Sequence, residues 1–165
     1  MPQNRNIVII EDNETFSLLV THYIKNNLGD VNVFVENSGK KALESIHRLK
    51  PYLVILDYYL EDDLSAKDVM SEINKMDDRP KVILLSSITD EDERNEVMSM
   101  GIHAFIPKKN ESIYDLVKTI QDLLNDQARG SGFSGRALGI NSRPVLFFVL
   151  AVIVMVAIII YALLD

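Results

Sequence analysis

Five polar residues follow directly on short apolar runs, and their types suit phosphorus chemistry. Glu11 and Asp12 follow "NIVII" (Asn6–Ile10), and Asp57 follows "YLVIL" (Tyr52–Leu56). Ser86 follows "KVILL" (Lys81–Leu85), and Lys108 lies just past "HAFI" (His103–Ile106) and Pro107. Three carboxylates cannot crowd together without a compensating cation, and hard oxygen ligands with open water positions suit Mg²⁺. Beside such an ion the Asp57 carboxylate stays ionised and nucleophilic at neutral pH, and the charge that would repel an incoming phosphoryl group is offset. Phosphoryl transfer also needs charge stabilisation on the equatorial oxygens. A Ser86 hydroxyl and a Lys108 ammonium are groups that supply it. Taken singly, each residue has a plainer reading. Acids ahead of a helix favour the helix dipole, an Asp closes turns, a Ser decorates loops, and a Lys sits in solvent. Chemistry follows only if the chain brings all five together.

The elements that must do so read clearly. "NIVII", "VNVFVE" (Val31–Glu36), "YLVIL", "KVILL" and "HAFI" are short runs rich in β-branched or apolar residues, expected as strands. Between them lie stretches with helical spacing. Phe16, Leu19, Val20, Tyr23 and Ile24 form the first; Ser38 to Leu49 and Leu64 to Met76 follow. Thr89 to Met100 is expected to open on a Thr89–Asp92 capping box and close at Gly101, and Glu111 to Leu124 is the last. Strands alternating with helices predict an α/β fold of right-handed βαβ units, a parallel sheet covered on both faces. The mixed second run belongs at an edge. In such sheets sites form beyond the C-terminal strand ends, where the five polar residues fall.

Composition divides the 165-residue chain further. Residues 1–126 carry 14 Lys and Arg against 23 Asp and Glu, a net charge of −9. Such a domain is a poor partner for nucleic acid, whose phosphates need Lys and Arg. Residues 127–143, "QARGSGFSGRALGINSR", form a Gly/Ser/Arg-rich stretch expected as a flexible linker; as coil it reaches roughly 20–25 Å. Residues 144–164 carry no charge, and about 20 helical residues span roughly 30 Å, so 144–165 is expected to be a transmembrane anchor. Arg129, Arg136 and Arg143 precede it, which places the N-terminal domain on the cytoplasmic side of a single-pass cell-membrane protein. The absence of Cys fits a reducing compartment.

Over roughly residues 5–125 the sequence resembles the receiver domain of two-component response regulators. An acidic pair after strand one, an Asp after strand three, a Ser after strand four and a Lys after strand five make up that motif set. The resemblance implies a flavodoxin-like, doubly wound sheet of order 2-1-3-4-5. It implies that Glu11, Asp12, Asp57 and the Tyr59 backbone carbonyl hold Mg²⁺. Asp57 would accept the phosphoryl group, Ser86 and Lys108 would meet it, and Phe105 would be the switch aromatic. A histidine kinase or phosphotransfer protein would be the donor. The output would be a protein-binding surface of helix four, strand five and helix five, offered to an unnamed downstream protein. Such a domain is a phosphoacceptor rather than an enzyme.

The chain departs from the family pattern at three places. Pro107-Lys108-Lys109 replaces the usual Lys-Pro. A cis bond between two lysines would cost about 3 kcal/mol, so that bond is expected trans, with a shifted Lys108 backbone. Glu61-Asp62-Asp63 stands where Pro-Gly is frequent. The resemblance puts Tyr59 and Ile88 at two positions that, in that family, influence water's access to the acceptor, and both are bulky. These departures leave open a second reading, a receiver-like module that binds proteins at the membrane without being phosphorylated. A phosphohydrolase on a similar sheet needs a second Asp two residues after its nucleophile, where this chain has Tyr59, and "VIIEDNETF" lacks the glycines of a phosphate loop. The bulk at Tyr59 and Ile88 predicts slow loss of phosphate from the loaded protein; release measured over time should take far longer than seconds, and a half-life of seconds contradicts the assignment.

Overall fold

Strand residues alternate between two faces, and this chain uses both. A computed structural model describes residues 5–60, 64–109 and 112–130. The strands are β1 (Asn6–Ile10), β2 (Asn32–Glu36), β3 (Leu53–Leu56), β4 (Lys81–Ser86) and β5 (Ala104–Pro107). The helices are α1 (Glu14–Asn27), α2 (Gly39–Leu49), α3 (Ala66–Asn74), α4 (Glu91–Ser99) and α5 (Ser112–Gly130). The strands pair in parallel in the order β2-β1-β3-β4-β5, with the mixed strand β2 at one edge as its composition predicts.

Val8, Ile10, Val54, Leu56, Val82 and Leu84 point to one face and pack with Ala42, Ile46, Val69, Met70, Ile73 and Val97 of α2, α3 and α4. Their neighbours Ile7, Ile9, Leu53, Ile55, Ile83 and Leu85 point the other way, against Val20 and Ile24 of α1 and Leu116, Ile120 and Leu124 of α5. β1, β3 and β4 are apolar almost throughout because both their faces are covered. Tyr52 ties the last helix to the sheet: its hydroxyl donates to the Leu123 carbonyl at 2.6 Å.

Helix starts follow capping chemistry. Asn13, Ser38 and Ser65 accept from the backbone three residues on, and Ser65 forms a full capping box with Asp68. At α4 the expected Thr89 cap is displaced. Asp90 is the N-cap, accepting from the Glu93 N–H at 2.8 Å, because Asp caps better than Thr and is equally well spaced. Gly101, at φ +84°, closes that helix in a conformation that favours glycine. α5 runs past Leu124 to Gly130, so the first residues assigned to the linker are helical; nothing between Leu124 and Gly130 breaks a helix.

Of the two units into which the chain divides, Met1–Gly132 and Phe133–Asp165, only the first holds described residues. The apolar run 144–164 therefore lies outside them, as does Glu61-Asp62-Asp63. Among the described residues no helix is long and apolar enough to cross a membrane.

Gly39, the first residue of α2, lies against the loop that follows β3. A Cβ there would meet the Leu64 Cβ at 2.9 Å and the Leu64 carbonyl at 3.0 Å. Gly39→Ala is therefore expected to lower stability by about 1–3 kcal/mol, overpacking outweighing the gain in helix propensity. Urea unfolding measures it, and an unchanged or higher midpoint contradicts the contact.

Candidate functional site

The sheet delivers the five polar residues to one rim. The Glu11 N–H donates to the Glu36 carbonyl at 3.0 Å and the Asp57 N–H to the Ile10 carbonyl at 2.9 Å, so both acids are held in the β ladder's own register. Carboxylate oxygens of Glu11, Asp12 and Asp57 lie within 4.8 Å of one another. Glu11 and Asp57 are 3% and 4% exposed, and Asp12 is half-buried.

Lys108 enters from β5's far end. Its Nζ donates to Asp57 Oδ2 at 2.6 Å and sits 2.8 Å from Glu11 Oε2. Its own N–H donates to the Ser86 carbonyl at 2.8 Å, so Ser86 and Lys108 are fixed to each other. The Lys108–Lys109 peptide bond is trans, as expected.

The Ser86 side chain is fully buried, and among the described residues its Oγ has no hydrogen-bond partner. A buried hydroxyl without a partner costs about 1–3 kcal/mol. Three clustered carboxylates and an ammonium, with a free buried hydroxyl at the end of the neighbouring strand β4, fit a site built for an oxyanion and a divalent ion: hard oxygen donors suit Mg²⁺, and the hydroxyl has a bond to give. Glu11, Asp12 and Asp57 are the residues that would hold the ion.

Tyr59 lies beside the cluster. Its N–H reaches Asp57 Oδ1 at 3.4 Å, while its half-exposed ring meets Tyr58 edge to face and its hydroxyl donates to Glu93 Oε2 of α4 at 3.3 Å. Phe105 is half-buried on the α4 side of the sheet, opposite Leu84 in the ladder, with the Arg94 guanidinium 5.0 Å over its ring.

Two contributors escaped the sequence reading. Phe16 reads there only as an apolar helix residue, yet the Lys108 ammonium lies 4.8 Å over its ring. Asn13 caps α1 by accepting from the Phe16 N–H at 2.9 Å, and its own N–H reaches Glu11 Oε1 at 3.3 Å. Asn ahead of an apolar helical pattern is the cap signature that could have revealed Asn13. No one-dimensional signal reports that Phe16 faces a lysine 92 positions away.

The charges are unevenly matched. Burial raises the Asp57 carboxyl above its ordinary 3.8, with the Lys108 hydrogen bond and charge opposing. Burial also raises Glu11 above 4.5; the Lys108 bond opposes it and the Asp57 charge adds to it. Burial pulls Lys108 down, but its bonds to Asp57 and Glu11 outweigh that and hold it above 10.5. The ammonium gains while both acids lose because one positive charge serves two buried negative ones.

The model of the response regulator receiver domain family matches residues 7–121, and the chain belongs to that family. Among curated proteins it resembles the response regulator protein VraR of Staphylococcus saprophyticus, 27% identical over 74% of this chain and 57% of that protein. VraR of Staphylococcus aureus is 27% identical over 75% and 56%. The chain thus spans little more than half the length of these relatives. Among solved structures, a signal receiver domain from Vibrio parahaemolyticus is 25% identical with a TM-score of 0.71, over 81% of this chain and all of that one. A BeF3-activated receiver domain of Klebsiella pneumoniae RstA is 26% identical with a TM-score of 0.63, over 72% and 97%.

A carboxyl whose pKa is higher folded than unfolded gives stability that is full below the unfolded value and lost as pH rises through the folded one. Without divalent ions, Asp57→Asn should therefore melt at a higher temperature than wild type at about pH 7.5. The difference should fade as pH falls through the raised Asp57 value toward 3.8. Mg²⁺ should raise the wild-type midpoint at about pH 7.5, and less so in acid, where protons compete for the same oxygens. Scanning fluorimetry reads both, and a midpoint indifferent to Mg²⁺ counts against the metal assignment.

Proposed function

We propose that this chain is a phosphorylation-controlled signalling switch held at the cytoplasmic face of a membrane, with Asp57 as phosphoacceptor. The observation that carries the reading is the meeting of Glu11, Asp12, Asp57 and Lys108 at the rim where Ser86 ends β4, its buried hydroxyl without a partner among the described residues. The donor is a phosphohistidine on a histidine kinase or phosphotransfer protein. A carboxylate oxygen of Asp57 attacks phosphorus, the P–O bond forms as the donor's P–N bond breaks, and the bonding pair leaves with the imidazole nitrogen, which takes up a proton. Bound Mg²⁺ supplies positive charge against the phosphoryl oxygens. Lys108 transfers one of its contacts from Asp57 to a phosphoryl oxygen, and the Ser86 hydroxyl donates to another. Tyr59 and Ile88 narrow the approach of water. The domain is consumed as an acceptor once per phosphoryl group and is not an enzyme acting on a separate substrate.

Phe105 lies in the strand next to Ser86 and carries Arg94 of α4 on its ring, so drawing Ser86 toward a phosphoryl group gives Phe105 and α4 a reason to move. The surface that changes is that of α4, β5 and α5. Its partner is a protein: residues 1–126, at net −9, repel nucleic acid. The uncharged run 144–164, preceded by three Arg, supports the membrane anchor, and a tether raises the effective concentration of the switch near membrane partners.

One experiment addresses both halves. Membranes carrying the full chain are washed with alkaline carbonate and labelled with radioactive acetyl phosphate and Mg²⁺. The chain should stay in the pellet and carry label that EDTA or Asp57→Ala abolishes. A pelleted but unlabelled chain refutes the phosphoacceptor and leaves a tethered binding module; a chain in the wash refutes the anchor.

A further inference from the structure

The Lys108 ammonium is enclosed on two sides of different chemistry. Its Nζ meets Asp57 Oδ2 at 2.6 Å and Glu11 Oε2 at 2.8 Å, and the Phe16 ring lies 4.8 Å from the same nitrogen. The side chain is only 18% exposed. Phe16 does not reach that place by chance of helix phase. Asn13 Oδ1 accepts from the Phe16 N–H itself, while the Asn13 N–H holds Glu11, so one β1–α1 turn sets both the acid and the aromatic that Lys108 meets. Half-buried Phe16 packs on the α1–α5 face of the core, which fixes the ring from behind.

We infer that Phe16 is a positioning residue for the phosphoryl site: its ring face holds the Lys108 ammonium against Asp57 and Glu11 and keeps it there when the charge around it changes. The inference rests on the phosphoacceptor reading of Asp57. A lysine has four flexible side-chain bonds and a strongly hydrated head, and it leaves a carboxylate readily once water can replace the contact. A ring quadrupole attracts the ammonium to its face and shields that face from water. It does so without offering a hydrogen-bond acceptor, so all three ammonium protons stay available for carboxylate or phosphoryl oxygens. A Leu of similar bulk would fill the space without the attraction.

The test compares Phe16→Leu, which keeps an apolar plug, with Phe16→Tyr, which keeps the ring face. The first readout needs no phosphorylation. In the full chain in detergent micelles, the Lys108 side-chain ammonium resonance should show a ring-current shift and slow proton exchange. Both should be lost in Phe16→Leu and kept in Phe16→Tyr. The second readout is labelling of Asp57 by phosphoramidate with Mg²⁺, expected to slow about 3- to 10-fold in Phe16→Leu, the range of a partly desolvated cation–π contact, and to recover in Phe16→Tyr. Unfolding midpoints follow in parallel: the ring-current shift vanishes with the ring in any case, so the proton exchange decides, and a purely structural role would lower stability in proportion to lost packing and leave that exchange slow. Lys108 ammonium protons that exchange as slowly in Phe16→Leu as in wild type overturn the inference. So does a labelling defect that Phe16→Tyr fails to rescue. A wild-type protein with the shifted ammonium signal but no label overturns the phosphoacceptor reading and leaves the contact standing.

Discussion

One ammonium between two buried carboxylates sets the terms for the rest of this domain. Removing an ionised carboxylate from water costs several kcal/mol even after relaxation, and Glu11 and Asp57 are both almost fully enclosed. Lys108 compensates them only in part, so both acids remain displaced toward their neutral forms. The cluster is short of positive charge by design of its geometry. A second cation is welcome there, and so is any change that moves Lys108 from carboxylate to another anion. The same shortage explains why the site demands so much support. Glu11 is tied to β2, Asp57 to β1, and Lys108 to Ser86, each through the backbone, so the charges cannot drift apart to relieve their mismatch.

That support is a consequence of sheet register. In a strand, a slip of one residue turns every side chain to the opposite face. Here the two face sets, Val8 and Ile10 toward α2–α4 and Ile7 and Ile9 toward α1 and α5, are both buried, so neither direction of slip is silent. The apolar alternation that holds the core thereby holds the position of the first residue beyond each strand. Chemistry at the rim inherits its precision from packing in the interior.

This is also why so much was legible from sequence. Continuous runs such as Asn6–Ile10 and Lys81–Leu85 are strong strand signals because burial on both faces excludes polar residues, and the polar residue that ends each run marks the rim. The edge place of β2 and the rim position of Glu11, Asp12, Asp57 and Lys108 followed from that logic, whereas the full strand order came from the resemblance to receiver domains. What escaped was decided by local competition or by distance across the fold. Thr89 and Asp90 are both good caps one residue apart, and the helix takes the better one, Asp90. α5 continues to Gly130 because Gln127, Ala128 and Arg129 tolerate a helix, which a compositional view of a Gly/Ser/Arg segment overlooks. Phe16 over Lys108 pairs β1's neighbouring helix with β5's far end, a contact that periodicity cannot encode.

The helices are not held equally, and the inequality bears on how a rim event is read elsewhere. α3 buries Ala66, Val69, Met70 and Ile73, whereas α4 buries Val97 alone. Few buried apolar contacts mean a low local cost of displacement. Yet α4 carries three side-chain links to the site's surroundings: Glu93 accepts from the Tyr59 hydroxyl, Arg94 covers Phe105, and Glu96 meets Lys67 at 2.7 Å. Exposed links of this kind contribute little to stability, so they do not lock the helix. They do give it a stake in where the acceptor loop and the β5 aromatic stand. In the proposed switch, α4 is therefore the element for which a change at the rim is both felt through several side chains and cheap to follow, while α3, in contact with the same loop, is anchored too deeply to answer.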